Sequence, residues 1–303
     1  MADDLPPMVV VTGANGFVGA RVCRKLAERR ASVRAVVRRS GTAPALDGVE
    51  ERVGNFGESA FAAEVVDGAD AVVTTVHPMA SDRQTQDRIG VEATRTFATA
   101  ARDAGVKTLI HVSTAAVYLR APGTGDVHEE SDLVGDDARD YSVTKRDADA
   151  ALAAVEGMTR VLVRPPAILG PGETSVWNTL RPLGMRDDEA ERHAVPDASF
   201  AWVHVDDLAT LIADIATGRI APSDDPARGP VIGGCTPVNV AAGPATQRDY
   251  YETVTRALGV AAVWDDEPGW TGSIVADRAL DWGWTPTVTL DVALREIETG
   301  LQR

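Results

Sequence analysis

Val9-Val10-Val11-Thr12-Gly13-Ala14-Asn15-Gly16-Phe17-Val18-Gly19 decides how this chain folds. Three β-branched residues run into a turn, and the turn runs into a helical pattern. A buried parallel strand hands over in this way to a helix whose N-terminus can hold a phosphate. Gly13 lets the chain turn tightly, Gly16 lets the backbone approach a pyrophosphate, and Gly19 lets the helix lie close on the strand. Asn15 stands where the commoner dinucleotide fingerprint has its second glycine, so the spacing is G-x-x-G-x-x-G. Gly13, Asn15, Gly16, Phe17, Val18 and Gly19 are the expected cofactor cradle. A glycine-rich turn with no ligand would look the same in isolation, so the following segments have to decide.

Val18, Val22 and Leu26 recur every four residues and predict a helix over 20–30. The next strand, Val33 to Val37, ends in Arg38-Arg39-Ser40. In dinucleotide folds an acidic residue at this strand end bonds the ribose hydroxyls of NAD, whereas an arginine accommodates the 2′-phosphate of NADP. No Asp or Glu lies between Ser32 and Thr42. Arg38 and Arg39 therefore point to NADP(H), with NAD(H) the weaker choice; a solvated arginine pair is the bland alternative. A strand at Glu51 to Val53 leads to Asn55 and Phe56, candidates for the adenine edge and face, or simply a polar loop. Ala69 to Val76 reads as a buried strand that brings Thr75, Val76 and His77 to the carboxyl edge, where such sheets place ligands. His77 is a candidate for the cofactor ribose or the substrate. Ile89, Ala93, Phe97 and Ala101 predict a helix over 88–104, stopped by Gly105. The strand Thr108 to Val112 follows. Strands alternating with helices imply an α/β fold with a doubly wound parallel sheet.

The 303 residues are 44% hydrophobic and 25% charged, which excludes a disordered chain. A net charge of −15 argues against nucleic acid or an anionic membrane as partner. No stretch reaches the ~18 apolar residues of a membrane span. The opening Met-Ala-Asp-Asp-Leu-Pro-Pro is acidic where a secretory signal is basic, so a cytoplasmic protein is expected. Cys23 and Cys235 are the only cysteines, and neither belongs to a metal or disulfide pattern. Cys23 falls on the apolar side of the first helix and reads as core.

Tyr141-Ser142-Val143-Thr144-Lys145 opens another helix, with Tyr141 and Lys145 on one face. A tyrosine titrates near 10, too high for efficient proton transfer at neutral pH. An ammonium on the next turn stabilises the phenolate, and the same lysine suits the nicotinamide ribose. Thr114, at the end of the preceding strand, is placed to bond and polarise a substrate carbonyl. Tyr-x-x-x-Lys alone is a frequent chance pattern; with the glycine loop and the Ser113-Thr114 strand end it is a constellation.

These pieces together resemble the extended short-chain dehydrogenase/reductase family, the NAD(P)-dependent epimerase/dehydratase group. Further matching stretches are His111 to Tyr118, Arg164-Pro165-Pro166-Ala167-Ile168-Leu169-Gly170-Pro171-Gly172, Trp202 to Leu208, and Trp282-Gly283-Trp284-Thr285-Pro286. They run in the family's order over almost the whole chain. The resemblance implies Thr114, Tyr141 and Lys145 as the catalytic triad and Pro165 and Ile168 against the nicotinamide half of the cofactor. It also implies a C-terminal lobe that shapes the substrate pocket, and a homodimer through the helices near 88–104 and 141–155. Ala167 stands where sugar-nucleotide members carry Asn, and Ala115-Ala116 stand where 4,6-dehydratases carry Asp-Glu. Gly90 stands where many relatives carry Asn. The proline-rich stretch is more similar to the ketone-reducing and hydroxysteroid-dehydrogenase-like branch. The expected activity is hydride transfer between NADPH and a carbonyl, or secondary alcohol, of a small organic substrate. The alternatives are a sugar-nucleotide epimerase with retained cofactor and a non-catalytic NADP(H)-sensing protein.

After Gly172 the pattern loosens. Residues 1–172, with about 200–235, are expected to form the NADP-binding domain; about 173–199 and 236–303 form the substrate lobe. Ser175 to Leu180 and the charged run Arg186 to Arg192 read as a helical insertion over the pocket, with Trp177 a candidate for substrate contact or for lobe core. Phe200 to Val205 reads as a strand, with Asp206-Asp207 capping the next helix. Its His and Asp residues are adjacent in sequence and predict no metal site. Val231 to Gly234 reads as a strand. Tyr250, Tyr251, Val254 and Leu258 predict an amphipathic helix, and Trp264, Trp270, Trp282 and Trp284 the lobe core.

Overall fold

The computed structural model of the chain describes residues 6–79 and 81–302; the acidic first five residues lie outside the described residues. Eleven strands occur among them: β1 (Met8–Thr12), β2 (Ser32–Val37), β3 (Val49–Val53), β4 (Ala71–Thr74), β5 (Thr108–Val112), β6 (Thr159–Arg164), β7 (Ala167–Leu169), β8 (His193–Ala194), β9 (Trp202–His204), β10 (Cys235–Asn239) and β11 (Val263–Trp264). Seven of them form one sheet in the order β10-β6-β5-β4-β1-β2-β3. Every pairing in that sheet is parallel. The order reverses at β1, which pairs with β2 on one side and β4 on the other. In open parallel sheets, ligands bind at such a reversal, outside the carboxyl ends of the strands.

The helices are α1 (Phe17–Glu28), α2 (Ser59–Val66), α3 (Arg83–Gln86), α4 (Ala93–Asp103), α5 (Asp140–Ala153), α6 (Arg181–Asp187), α7 (Val205–Ala216), α8 (Gln247–Leu258), α9 (Asp277–Asp281) and α10 (Leu290–Leu301). Successive strand residues face opposite sides, and the cores follow that alternation. Val9 and Val11 pack with Val22, Cys23 and Leu26 of α1 and Leu208 and Leu211 of α7. Val10 packs with Val65 of α2, Phe97 of α4 and Leu152 of α5. Cys23 is a core residue, as expected. The helix expected over 88–104 is longer. It starts at Arg83 and passes through one π-helical segment, Asp87–Glu92, before α4. Gly90 lies in that segment against His77: a Cβ there would sit 2.6 Å from the imidazole Nδ1. The missing side chain at 90 thus leaves the space that the His77 ring fills.

The C-terminal part departs from the sequence reading in three places. Val231 to Gly234 is not a strand; the backbone turns there, with Gly233 at φ +65°, and the strand begins at Cys235. That strand, β10, is the edge of the main sheet. Trp270, Trp282 and Trp284 join the same core as the α1 and α7 residues and not a separate lobe core, because the chain returns across that face after α8, while Trp264 is in no core and stays 36% exposed. The α7 cap is His204, whose side chain accepts from the Asp206 N–H at 3.2 Å. Asp207 instead accepts from Thr287 Oγ1 at 2.6 Å and from the Val288 N–H at 3.0 Å, which ties the last segment to α7.

The smaller lobe is built from α6, α8, α10 and the strand pairs β7–β9 and β8–β11. Its own core holds Leu169, Met185, Phe200, Trp202, Tyr250, Tyr251, Val254 and Ile297. Among the described residues, no helix is long and apolar enough to cross a membrane.

Candidate active site

The glycine loop lies at the sheet's reversal point. Gly13 has φ +67°, and a Cβ there would lie 2.6 Å from Thr75 Oγ1 and 2.9 Å from Val76 Cγ2. Only glycine allows both the left-handed backbone and the close approach of the β4 end. Thr75 Oγ1 donates to the Thr12 carbonyl at 2.8 Å, locking the two strand ends together. Helix α1 then starts behind Gly16, with no side-chain cap and no acidic residue in its first turn. The first N–H groups of the helix are thus left for a ligand, and the helix dipole favours an anion. These features fit the pyrophosphate of a dinucleotide. Phe17 packs against the loop after β7, where Cβ atoms on Gly170 and Gly172 would meet its ring at 3.5 and 3.1 Å. Asn15 is exposed, and its Nδ2 reaches Thr42 Oγ1 at 3.4 Å.

Arg38 and Arg39 stand exposed just past the end of β2. Asn55 is also exposed; its Oδ1 accepts from the Gly57 N–H at 3.1 Å and its Nδ2 donates to Glu58. Phe56 is 7% exposed and packs edge-on against Phe97, centroids 6.1 Å apart, so its ring lies in the core and not open to an adenine.

The three residues expected to carry chemistry come together at the carboxyl ends of β5 and β6. Thr114 caps a short 3-10 turn, its Oγ1 accepting from the Ala116 N–H at 3.1 Å. The Tyr141 side chain lies close enough to Thr114 for the Thr114 hydroxyl to act on its phenol. Burial pushes the Tyr141 phenol above its ordinary value, with the Thr114 hydroxyl acting the other way. Lys145 is 3% exposed and donates from Nζ to the Val112 carbonyl at 2.7 Å. Burial lowers its ammonium to about 8, opposed by the Asp149 carboxylate. Pro165 is buried beside this cluster, its carbonyl accepting from the Ala115 N–H at 2.8 Å, and Ile168 is half-buried.

His77 lies edge-on to the Tyr141 ring, centroids 5.2 Å apart and planes at 80°. Its Nε2 meets Gln86 Oε1 at 3.2 Å and Thr144 Oγ1 at 3.3 Å. Burial, then the Lys145 charge, pushes its pKa down to about 3, so the ring is neutral. Its buried Nδ1 has no partner. Trp177 lies in the other lobe, edge-on to Phe200 and Tyr250, with the Arg181 guanidinium 5.4 Å from its ring.

One layer behind the triad is a buried network that sequence reasoning missed. Arg164 Nε donates to Asp149 Oδ2 at 3.0 Å, with 6% and 3% of the two side chains exposed. Burial pushes the Asp149 carboxyl up, against the pull of Arg164. Arg164 also donates to the Tyr118 hydroxyl at 2.9 Å, and Tyr118 donates to Asn239 Oδ1 at 2.9 Å. Asp149 follows Lys145 by one helical turn, which was a readable signal; Arg164 and Asn239 come from other strands and carried none.

A family model described as NAD(P)H-binding matches residues 13–216. The chain is 34% identical over 170 residues to sterol demethylase protein B of Methylococcus capsulatus, covering 54% of this chain and 52% of that protein. It is 29% identical over 219 residues to the ceramide reductase of Caulobacter vibrioides, covering 70% and 62%. The matched stretch thus spans little more than half the length of these relatives. In fold it is similar to the Bordetella bronchiseptica enzyme WbmG, solved in complex with NAD, at TM-score 0.74 and 17% identity over 99% of this chain and 97% of that one.

Proposed function

We propose that this chain, which belongs to the NAD(P)H-binding family, is an NADPH-dependent reductase of an apolar carbonyl compound, of the extended short-chain dehydrogenase/reductase type. The observation that carries this reading is the buried Lys145 one turn after Tyr141 on α5, held at the end of β5 beside Thr114. Two hydroxyl donors, Thr114 and Tyr141, suit a carbonyl oxygen, which gains negative charge as the carbonyl is reduced. Thr114 holds that oxygen, and Tyr141 delivers the proton to it. Burial keeps Tyr141 protonated at neutral pH, the state that a reduction requires. Lys145 stabilises the phenolate left behind and is placed for the nicotinamide ribose. Bound NADPH supplies the hydride.

Gly13, Gly16 and the first turn of α1 would hold the pyrophosphate, and Arg38 with Arg39 the 2′-phosphate. The apolar substrate class rests on two supports. Met79, Leu119 and Leu180 are 52%, 47% and 50% exposed on the segments that follow β4, β5 and β7. Two relatives, moreover, are named for ceramide and sterol chemistry. Elimination from a sugar nucleotide lacks its acid and base at Ala115-Ala116.

The test is a spectrophotometric screen of NADPH and NADH oxidation against long-chain ketones, aldehydes and sugar nucleotides. The expected result is NADPH oxidation with an apolar ketone or aldehyde, lost in Tyr141→Phe. NADH preference or turnover by Tyr141→Phe would overturn the reading. Activity should also decline as pH rises through about 8, where Lys145 loses its proton.

A further inference from the structure

The loop that leaves β2 does not end in open solvent. Residues 40–43 fold back onto Glu51 of β3, and four donors converge on its carboxylate. Oε1 accepts from the Gly41 N–H at 2.9 Å and from Ser40 Oγ at 3.2 Å. Oε2 accepts from the N–H groups of Thr42 and Ala43, both at 3.0 Å. Thr42 Oγ1 donates back to the Arg39 carbonyl at 2.7 Å and lies within 3.4 Å of Asn15 Nδ2. The segment carrying Arg38 and Arg39 is therefore tied to the edge strand by a carboxylate and to the glycine loop by Asn15. Successive N–H groups around one anion form a backbone nest. Here the nest is filled from within the chain. The Gly41 and Ala43 N–H groups hold the Glu51 carboxyl below its ordinary range, so it stays ionised at neutral pH.

We infer that Glu51 is a positioning residue for nucleotide selection: it latches the 40–43 loop so that Arg38 and Arg39 meet the 2′-phosphate of NADPH in a fixed place. The inference rests on the NADPH reading above. A nest already occupied by Glu51 does not itself take the phosphate, which leaves that role to the two guanidinium groups. Two long arginine side chains on a free loop would have to be ordered at each binding event, and a latched loop avoids part of that cost. The opposite effect also exists, because a carboxylate near a phosphate repels it. The latch outweighs it here, because all four donors face the Glu51 charge at hydrogen-bond distance.

The experiment is calorimetric titration of the wild type, Glu51→Ala and Glu51→Gln with NADP⁺ and with NAD⁺, alongside circular dichroism. Glu51→Ala is expected to weaken NADP⁺ by about tenfold and leave NAD⁺ within about twofold, the scale of a lost preorganisation effect. Glu51→Gln keeps an acceptor oxygen without the charge and should fall between; it carries the test if Glu51→Ala does not fold. NADP⁺ binding unchanged or tighter in the variants overturns the inference, and so does an equal loss of both nucleotides. A wild type that binds NAD⁺ as well as NADP⁺ overturns the NADPH reading itself, and is recognised before any variant is made.

Discussion

At one end of the cofactor crevice, Lys145 is buried against the Val112 carbonyl, with Asp149 and Arg164 closed in behind it. At the other end, Arg38 and Arg39 stand in solvent on a loop held by one carboxylate. The buried end gains from low dielectric, where each charge and hydrogen bond counts for more and an unpaired one costs more. The exposed end works through charges that water and salt screen. Proton transfer needs groups held to within fractions of an ångström, whereas on the proposed reading a phosphate is selected by solvent-exposed guanidinium charges on a loop that Glu51 latches. The contrast implies that chemistry at the first end breaks abruptly on substitution, while selectivity at the second changes by degrees.

The largest expected effect is at the buried end. Tyr141→Phe should lower kcat by about 10²–10⁴-fold, the scale of a lost general acid, with nucleotide affinity nearly unchanged by titration. Retained turnover would show that Tyr141 is not the proton donor. Next is Arg164→Met, which strands the Asp149 carboxylate in the core. It should destabilise the fold by about 3–5 kcal/mol in a denaturant titration, and the double change with Asp149→Leu should recover much of that loss. A single-variant loss near zero would mean that the pair is dispensable.

A third effect depends on pH. The His77 pKa is about 3 in the folded chain against an ordinary value of 6.5. Between those values the unfolded chain binds the extra proton, so stability is lost as pH falls through that window. The slope contributed by His77 is at most about 1.4 kcal/mol per pH unit. A wild type and a His77→Asn variant with identical acid unfolding curves would contradict it. The smallest effect is at the exposed end. Arg38→Ala should weaken NADPH by about tenfold and spare NADH, with the difference shrinking at high salt. Salt-independent binding of NADPH would erase the contrast between the two ends.

The parts legible in the sequence were those whose signal is local. Val9 to Val11 before Gly13, Thr108 to Val112, and Tyr141 with Lys145 each carry their meaning within one element, and each lies where it was expected. Phe56 did not carry its meaning, because a loop aromatic serves a ligand or a core equally until Phe97 is known to lie beside it. Val231 and Ile232 looked like a strand, yet the glycines after them turn the chain. The Asp149–Arg164–Tyr118–Asn239 network joins four elements, and only Asp149, one turn after Lys145, left a local trace. Gly90 was visible as a departure from its relatives, but its meaning needed the His77 ring against it.

The edge strand β10 and the three C-terminal indoles of the main core also set an order of events during synthesis. Strand β10 pairs with β6 only after residue 239 has emerged, and Trp282 and Trp284 close the face under α7 later still. Until then the nascent chain carries its glycine loop and its Tyr141–Lys145 pair on an unfinished core, with the start of α7 uncovered by Trp284 and the β6 edge unpaired. Such an intermediate invites aggregation, so a ribosome that stalls before Trp270 releases a product for chaperones and proteases, and not a smaller nucleotide-binding protein.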